Sequence, residues 1–357
     1  MEPAPERWRE PAPRVPFRGL EGSRVLTRPH HDQRAGREHD EHAVGPQGAR
    51  TVIALLFPGQ GAQQVGMGKA LVDAYPVARR TFEEANDVLG YDLARICFEG
   101  PHEDLMATRT CQPAVLTTSV AAYRVAHAEG IVGDLTMGHS LGEYSALVAS
   151  GLLEFGEAIR LVEARGDVTQ EVVGRTPGSM AAILGASDQD VEEMCLEAGD
   201  VWPANFNCPG QVVASGLHRG VERLLDLAHA RGLRARLLDV DGAFHSSLMA
   251  PAAEKLRGVL DSVRLPDTQT MPFLSATTAA FEQGERLRAL LAQQLTAPVR
   301  FTQTVRFALD HGADQFVEFG PRSVLIGLVR RIRSDVETHH VGTPGDLPAI
   351  AALSRPR

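Results

Sequence analysis

The 357-residue chain is 43% hydrophobic and 23% charged, enough apolar material for one large domain or two smaller ones with a sizeable core. Its formal charge of −9, from 45 acidic against 36 basic residues, argues against a nucleic-acid surface, which must neutralise phosphates with clustered cations. No apolar run approaches the ~20 residues that span a bilayer, and the N-terminus lacks the apolar stretch of a secretory signal.

Residues 1–50 are rich in Pro, Arg, Glu, Gly and His, with almost no periodic apolar positions, so they bury too little surface to offset ordering entropy. A disordered N-terminal extension is expected. Its acids, among them Glu2, Glu6, Glu10 and Glu21, nearly cancel its arginines and argue against a transit peptide. His30, His31, His39 and His42 could bind a metal, solvation being the simpler reading. At Thr51 the texture changes: TVIALLF is a buried strand that ends at Pro58-Gly59. Helical periodicity follows over 68–90 and 112–130, then a strand LTMGH at 135–139, then helices over 141–150 and 154–174.

Between about 178 and 240 the order is strand, helix (188–198), strand, strand, helix (218–231), strand, the βαββαβ string of a ferredoxin-like unit. Beyond it, a helix at 246–262, a strand near 272–276, helices within 285–310, the strand QFVEF and a helix at 322–333 resume the α/β alternation. Cys97, Cys111, Cys195 and Cys208 show no metal-ligand spacing and are expected to be reduced thiols of a cytoplasmic protein. No metal site is expected.

Gly138-His139-Ser140-Leu141-Gly142 fits G-x-S-x-G where a strand gives way to a helix. Glycines there permit the strained turn that lifts a serine hydroxyl off a sheet, with backbone N–H groups facing a developing oxyanion. Ser140 is thus a candidate nucleophile, although the pentapeptide alone could be a glycine-rich turn. Phe57-Pro58-Gly59-Gln60-Gly61 also ends a strand, and its glycines let backbone approach a ligand or serve a plain loop.

These segments, followed by RLVEARGDVTQE, ANFNCPGQVV, FHSSLM, QQLTAPVRF and EFGPRSVLIGL, resemble the malonyl-CoA:acyl carrier protein transacylases in order and spacing from about residue 51 to 333. The resemblance implies Ser140 as nucleophile and His245 as general base, the imidazole oriented by a backbone carbonyl at Gln294-Leu295 rather than by a carboxylate. It implies an oxyanion hole from the N–H groups of Gln60 and Leu141. Arg165, by residue type alone a solvated helix arginine, matches the arginine that grips the free carboxylate of the acyl group. Gly166 beside it costs ~1 kcal/mol in a helix and suggests close packing.

Asn205 and Asn207 lie beside the active site by the same resemblance, or serve strand-end turns. Phe244 matches a position where a ring leaves little room for a branched α-carbon. Asp241 and Gly242 depart from the family pattern, which leaves the loop before His245 undetermined. The expected architecture is a large α/β-hydrolase-like domain with a parallel sheet from residues 51–176 and 241–340, an inserted ferredoxin-like subdomain at 177–240, and a tail at 341–357.

The expected activity moves a malonyl group from malonyl-CoA to an acyl carrier protein without a cofactor, by a monomer. Arg322, Arg330, Arg331 and Arg333, or Arg219, Arg223 and Arg234, are candidates for a basic face toward the acidic carrier, or plain solvated helix faces. Alternatives are a polyketide acyltransferase that loads another extender unit, a hydrolase acting on carrier-bound thioesters and a non-catalytic carrier-binding protein. Arg165 disfavours hydrolysis of monocarboxylic acyl groups, which would leave its charge unpaired.

Overall fold

Each stretch of the computed structural model can be followed from local sequence rules; it describes residues 51–240, 242–266 and 268–354. The expectations for residues 1–50, Asp241 and the last three residues lie outside that range. The first half runs β1 (Val52–Phe57), α1 (Lys69–Ala74), α2 (Pro76–Leu89), α3 (Leu93–Glu99), α4 (His102–Met106), α5 (Thr108–Ala128), β2 (Leu135–Gly138), α6 (Gly142–Ala149) and α7 (Phe155–Arg175). The small unit is β3 (Gly178–Leu184), α8 (Asp188–Ala198), β4 (Val201–Cys208), β5 (Gln211–Leu217), α9 (His218–Ala230) and β6 (Arg234–Leu237). Then come a 3-10 turn (Ser247–Met249), α10 (Ala250–Leu260), β7 (Phe273–Ser275), β8 (Ala280–Glu282), α11 (Arg286–Gln293), α12 (Phe301–Asp310), β9 (Ala313–Phe319), α13 (Leu325–Ile332), β10 (Glu337–Val341) and a 3-10 helix (Pro344–Leu353).

Among the described residues, one sheet has the order β10-β9-β1-β2-β7-β8 and is parallel except for the β7–β8 pair. β1 explains why its sequence is apolar throughout: Ile53, Leu55 and Phe57 pack with α5–α7, while Ala54 and Leu56 pack with Phe301, Val305, Leu325 and Val329 of α12 and α13. A strand covered on both faces cannot alternate. The second sheet is antiparallel with the order β4-β5-β3-β6, the ferredoxin-like arrangement, and α8 and α9 close one face over Ile183, Val212 and Phe206. Backbone pairing ties the two units: Phe206 N donates to Val299 O (2.8 Å) and Val299 N to Ala204 O (2.8 Å). No helix among the described residues is long and apolar enough to cross a membrane.

Several elements depart from the expectations, each for a local reason. The helix expected over 68–90 is two, because Tyr75 precedes Pro76 and adopts an extended conformation (φ −126°, ψ 120°) that a helix cannot continue through. The 285–310 stretch holds α11 and α12 with an irregular loop, 294–300, between them. The helix expected from 322 begins at Leu325, where buried Glu318 of β9 accepts from the N–H groups of Val324, Leu325 and Ile326 and caps it. The expected tail at 341–357 is instead structured to residue 354: β10 extends the parallel sheet beside β9, and the following 3-10 helix buries Leu347 and Ile350.

Gly166 shows why α7 carries a glycine in mid-helix. A Cβ there would lie 2.9 Å from Arg109 Cα of α5, so the two helix backbones are in near contact. Gly174, on the same helix, has no atom within 4 Å of that position. Gly174→Ala is therefore expected to raise stability by up to ~1 kcal/mol and Gly166→Ala to lower it by about 1–3 kcal/mol in urea unfolding. A shift of both in the same direction would contradict the close approach.

Candidate active site

β1 and β2 end side by side, with Phe57 opposite Gly138, so the loop 58–61 and the turn 139–141 share the carboxyl edge of the sheet. Ser140 occupies the left-handed region at φ 52°, rare for a residue with a side chain. The turn is too crowded for anything but glycine on either side. A Cβ on Gly142 would fall 1.9 Å from Phe57 O, and one on Gly138 2.1 Å from Gly142 C. Gly59 packs on the turn just as closely, its Cβ position 2.5 Å from His139 O and 3.6 Å from Leu141 N. Gln60 and Leu141 thus stand on abutting turns.

His245, 5% exposed and at φ 58°, meets the serine from the turn just before the 3-10 segment Ser247–Met249, with Nε2 2.7 Å from Ser140 Oγ. Its Nδ1–H donates to the carbonyls of Gln294 (2.9 Å) and Ala297 (3.1 Å). That bonding leaves the Nε2 lone pair facing the hydroxyl, with no carboxylate behind the ring. Burial, helped by the charges of Arg165 and His139, pushes the imidazole pKa down to about 3, so His245 is neutral at physiological pH.

Arg165, 3% exposed, reaches the same point from α7. Its Nη2 lies 3.3 Å from both Ser140 Oγ and Gln294 Oε1, and its Nη1 donates to Gln112 Oε1 at 2.8 Å. Burial lowers its pKa, while Tyr144 and Glu143 support the charge. Among the described residues, no carboxylate stands within ion-pair distance of this guanidinium. Gln112 and Glu143 were not anticipated. The only signal for either was a polar residue inside an apolar helix.

The remaining expected residues divide. Asn207 accepts a hydrogen bond from His139 Nε2 (2.9 Å) and so touches the serine turn, whereas Asn205 Oδ1 is buried without a partner and its backbone pairs with Val299. Phe244 packs at the junction of the two units, and its carbonyl accepts from Ser215 Oγ (2.5 Å). Gly242 sits at φ 127° with Val173 Cγ2 2.6 Å from its Cβ position, so this departure from the family pattern suits a tight bend. Of the surface arginines, Arg219 and Arg223 pair with Asp200 and Arg333 with Asp335, while Arg331 donates to Gln211. Arg322 donates to Gln64 Oε1 (3.0 Å), five residues beyond Gly59. All four cysteines are free and buried, and burial pushes their thiols up. No cluster of three or more His, Cys, Asp or Glu fit to hold a metal exists among the described residues.

The family model of the acyl transferase domain matches residues 54–342. The chain is 43% identical over 297 residues to a malonyl CoA-acyl carrier protein transacylase of Bacillus subtilis strain 168, covering 82% of this chain and 94% of that protein. It is 41% identical over 309 residues to the Escherichia coli K12 protein of the same name, covering 85% and 100%. Among solved structures, it is similar to a malonyl-transacylase in complex with a type II PKS acyl-carrier protein (TM-score 0.82, 42% identity, 85% and 99% covered) and to the Coxiella burnetii malonyl CoA-acyl carrier protein transacylase (TM-score 0.83, 36% identity, 85% and 98% covered).

A base that stays neutral down to about pH 3 sets the acid limit of serine reactivity. Labelling of Ser140 by a fluorophosphonate, read by intact mass, is expected to change less than ~3-fold between pH 7.5 and 5, where an ordinary histidine would lose about thirtyfold. A tenfold loss by pH 5 would mean that the imidazole is charged there. Stability follows the same sign: the unfolded chain takes up the proton that the folded one refuses, so His245 lowers stability as pH falls below ~6.5.

Proposed function

The chain belongs to the acyl transferase domain family, and from that membership we propose that it transfers a malonyl group from malonyl-CoA, through an ester on Ser140, to the phosphopantetheine thiol of an acyl carrier protein. The single observation that carries the acyl preference is Arg165: a buried cation 3.3 Å from the serine oxygen and, among the described residues, hydrogen-bonded to neutral groups. A buried charge needs an anion, and the free carboxylate of a short dicarboxylic acyl group supplies it within reach of the ester.

In the first half-reaction Ser140 Oγ attacks the thioester carbonyl and its proton passes to His245 Nε2, 2.7 Å away. The tetrahedral oxyanion is received by the N–H groups of Gln60 and Leu141 on their abutting turns. Collapse breaks the C–S bond, and the departing CoA sulfur takes the proton from His245. In the second half the carrier thiol gives its proton to His245 and its sulfur attacks the ester. Collapse then breaks the C–Oγ bond and returns the proton to Ser140. The imidazolium formed twice per cycle is stabilised through Nδ1–H by the Gln294 and Ala297 carbonyls. Every step uses groups of this chain and its two thiol substrates. Phe244, next to His245, narrows the space beside the acyl α-carbon and disfavours a branched one.

Arg322 and the exposed Val65 and Val324 lie near the ends of the 58–65 and 320–324 loops and fit the approach of an acidic carrier. Mixing with malonyl-CoA is expected to add one malonyl mass to the wild type and none to Ser140→Ala. Arg165→Ala is expected to lower kcat/KM for malonyl loading by at least ~100-fold and to narrow the preference over acetyl-CoA, the size expected for a lost charge-assisted bidentate contact. If Arg165→Ala leaves malonyl preference intact, the clamp is wrong. If malonyl-Ser140 decays in water as fast as it forms, the chain is a hydrolase.

A further inference from the structure

Glu143 is 1% exposed at the start of α6, three residues after the nucleophile, and the transfer chemistry above makes no use of it. Its Oε1 accepts from Ser275 Oγ (2.7 Å) and Ala276 N (2.6 Å), and its Oε2 from Thr277 Oγ1 (3.4 Å) and from Gln294 Nε2. Burial pushes this carboxyl up, and the four donors oppose it. Ala276 N–H can only donate and the Ser275 and Thr277 hydroxyls are free to, which suits an ionised carboxylate against the upward pull of burial.

That arrangement dictates how the Gln294 amide stands. A carboxylate can only accept, so the NH2 of Gln294 must face Glu143; its second hydrogen goes to Ser140 O at 3.0 Å. Both donors are then used, and the amide oxygen is left pointing at Arg165 Nη2, 3.3 Å away. The reverse orientation would set an oxygen against the Glu143 carboxylate and an NH2 against the guanidinium, two repulsive contacts between buried groups. The same residue's backbone carbonyl holds His245.

We propose that Glu143 is a positioning residue for acyl selection: by orienting the Gln294 amide it aims a carbonyl oxygen at Arg165 and so fixes the guanidinium for the acyl carboxylate. The proposal rests on the carboxylate-clamp reading of Arg165. Glu143 is 1% exposed, and its hydrogen bonds go to Ser275, Ala276, Thr277 and Gln294. It acts through one side chain, which is why its effect is specific to acyl groups that use Arg165.

Glu143→Gln keeps the shape but turns an NH2 toward Gln294, so the amide flips and presents its own NH2 to Arg165. Single-turnover loading of Ser140 should show KM for malonyl-CoA raised at least ~10-fold with acetyl loading within ~3-fold of wild type, the loss of one charge-assisted hydrogen bond. In an Arg165→Ala background the same substitution should cost malonyl loading less than ~3-fold, because its route is gone. Equal losses for malonyl and acetyl, or an undiminished loss in that background, would overturn the proposal in favour of a mere tether of β7. If Glu143→Gln does not fold, Glu143→Asp, which keeps the charge but draws it back from the Gln294 amide, carries the same test: a malonyl-selective loss supports the proposal and an equal loss overturns it. Arg165→Ala alone separates the two readings. Should it keep malonyl preference, the clamp fails; should it abolish preference while Glu143→Gln does not, only the role of Glu143 fails.

Discussion

A guanidinium buried beside a nucleophilic hydroxyl is a demanding constraint, since an isolated charge moved out of water costs several kcal/mol unless its hydrogen bonds are replaced. Arg165 meets part of that demand with Gln112, Gln294 and Ser140, each neutral, and with the carboxylate of Glu143 one residue further back, while its Nε has no partner among the described residues. The choice of neutral first partners matters. A carboxylate in direct contact would saturate the fork and leave nothing for a ligand, whereas amide oxygens support the charge without neutralising it. The same logic fits the way His245 is held, by two backbone carbonyls where hydrolytic triads use an acid, so the orienting group adds no anion to compete for the cation.

One irregular loop, 294–300, gathers these requirements. Its first residue supplies a carbonyl to His245, an amide oxygen to Arg165 and an amide NH2 to Ser140 O and Glu143. Ala297 supplies the second carbonyl, and Val299 pairs with β4 of the small sheet. A regular helix through these positions would have spent the Gln294 and Ala297 carbonyls on its own ladder. Interrupting α11 and α12 frees them for the imidazole, and the same interruption ties the two subdomains together at the reacting groups.

Legibility from sequence tracked how local the determining physics is. The β1 strand is readable because burial on both faces leaves a continuous apolar run. The Ser140 turn was readable because its glycines are sterically forced. Gln112 and Glu143 were not, because what makes them part of the site is contact with residues 53 and more than 130 positions away. The loop 294–300 looked helical by periodicity, and its role in holding His245 involves backbone alone, which no side-chain pattern records; only the family resemblance pointed to it. The stretch 341–354 reads as a tail because a 3-10 helix carries little periodicity, and the β10 strand that leads into it is defined by pairing with β9 rather than by its own pattern.

The buried cation also couples substrate binding to chemistry. Arg165 is, after burial, the largest influence holding the His245 pKa near 3. An imidazole so depressed is a weak base, and the imidazolium it forms beside a bare guanidinium is costly. In the proposed clamp an acyl carboxylate paired with Arg165 offsets that repulsion, while the larger effect of burial on His245 remains. An acyl group without a carboxylate leaves the repulsion standing. On the proposed clamp, selection acts on the rate of acylation as well as on binding.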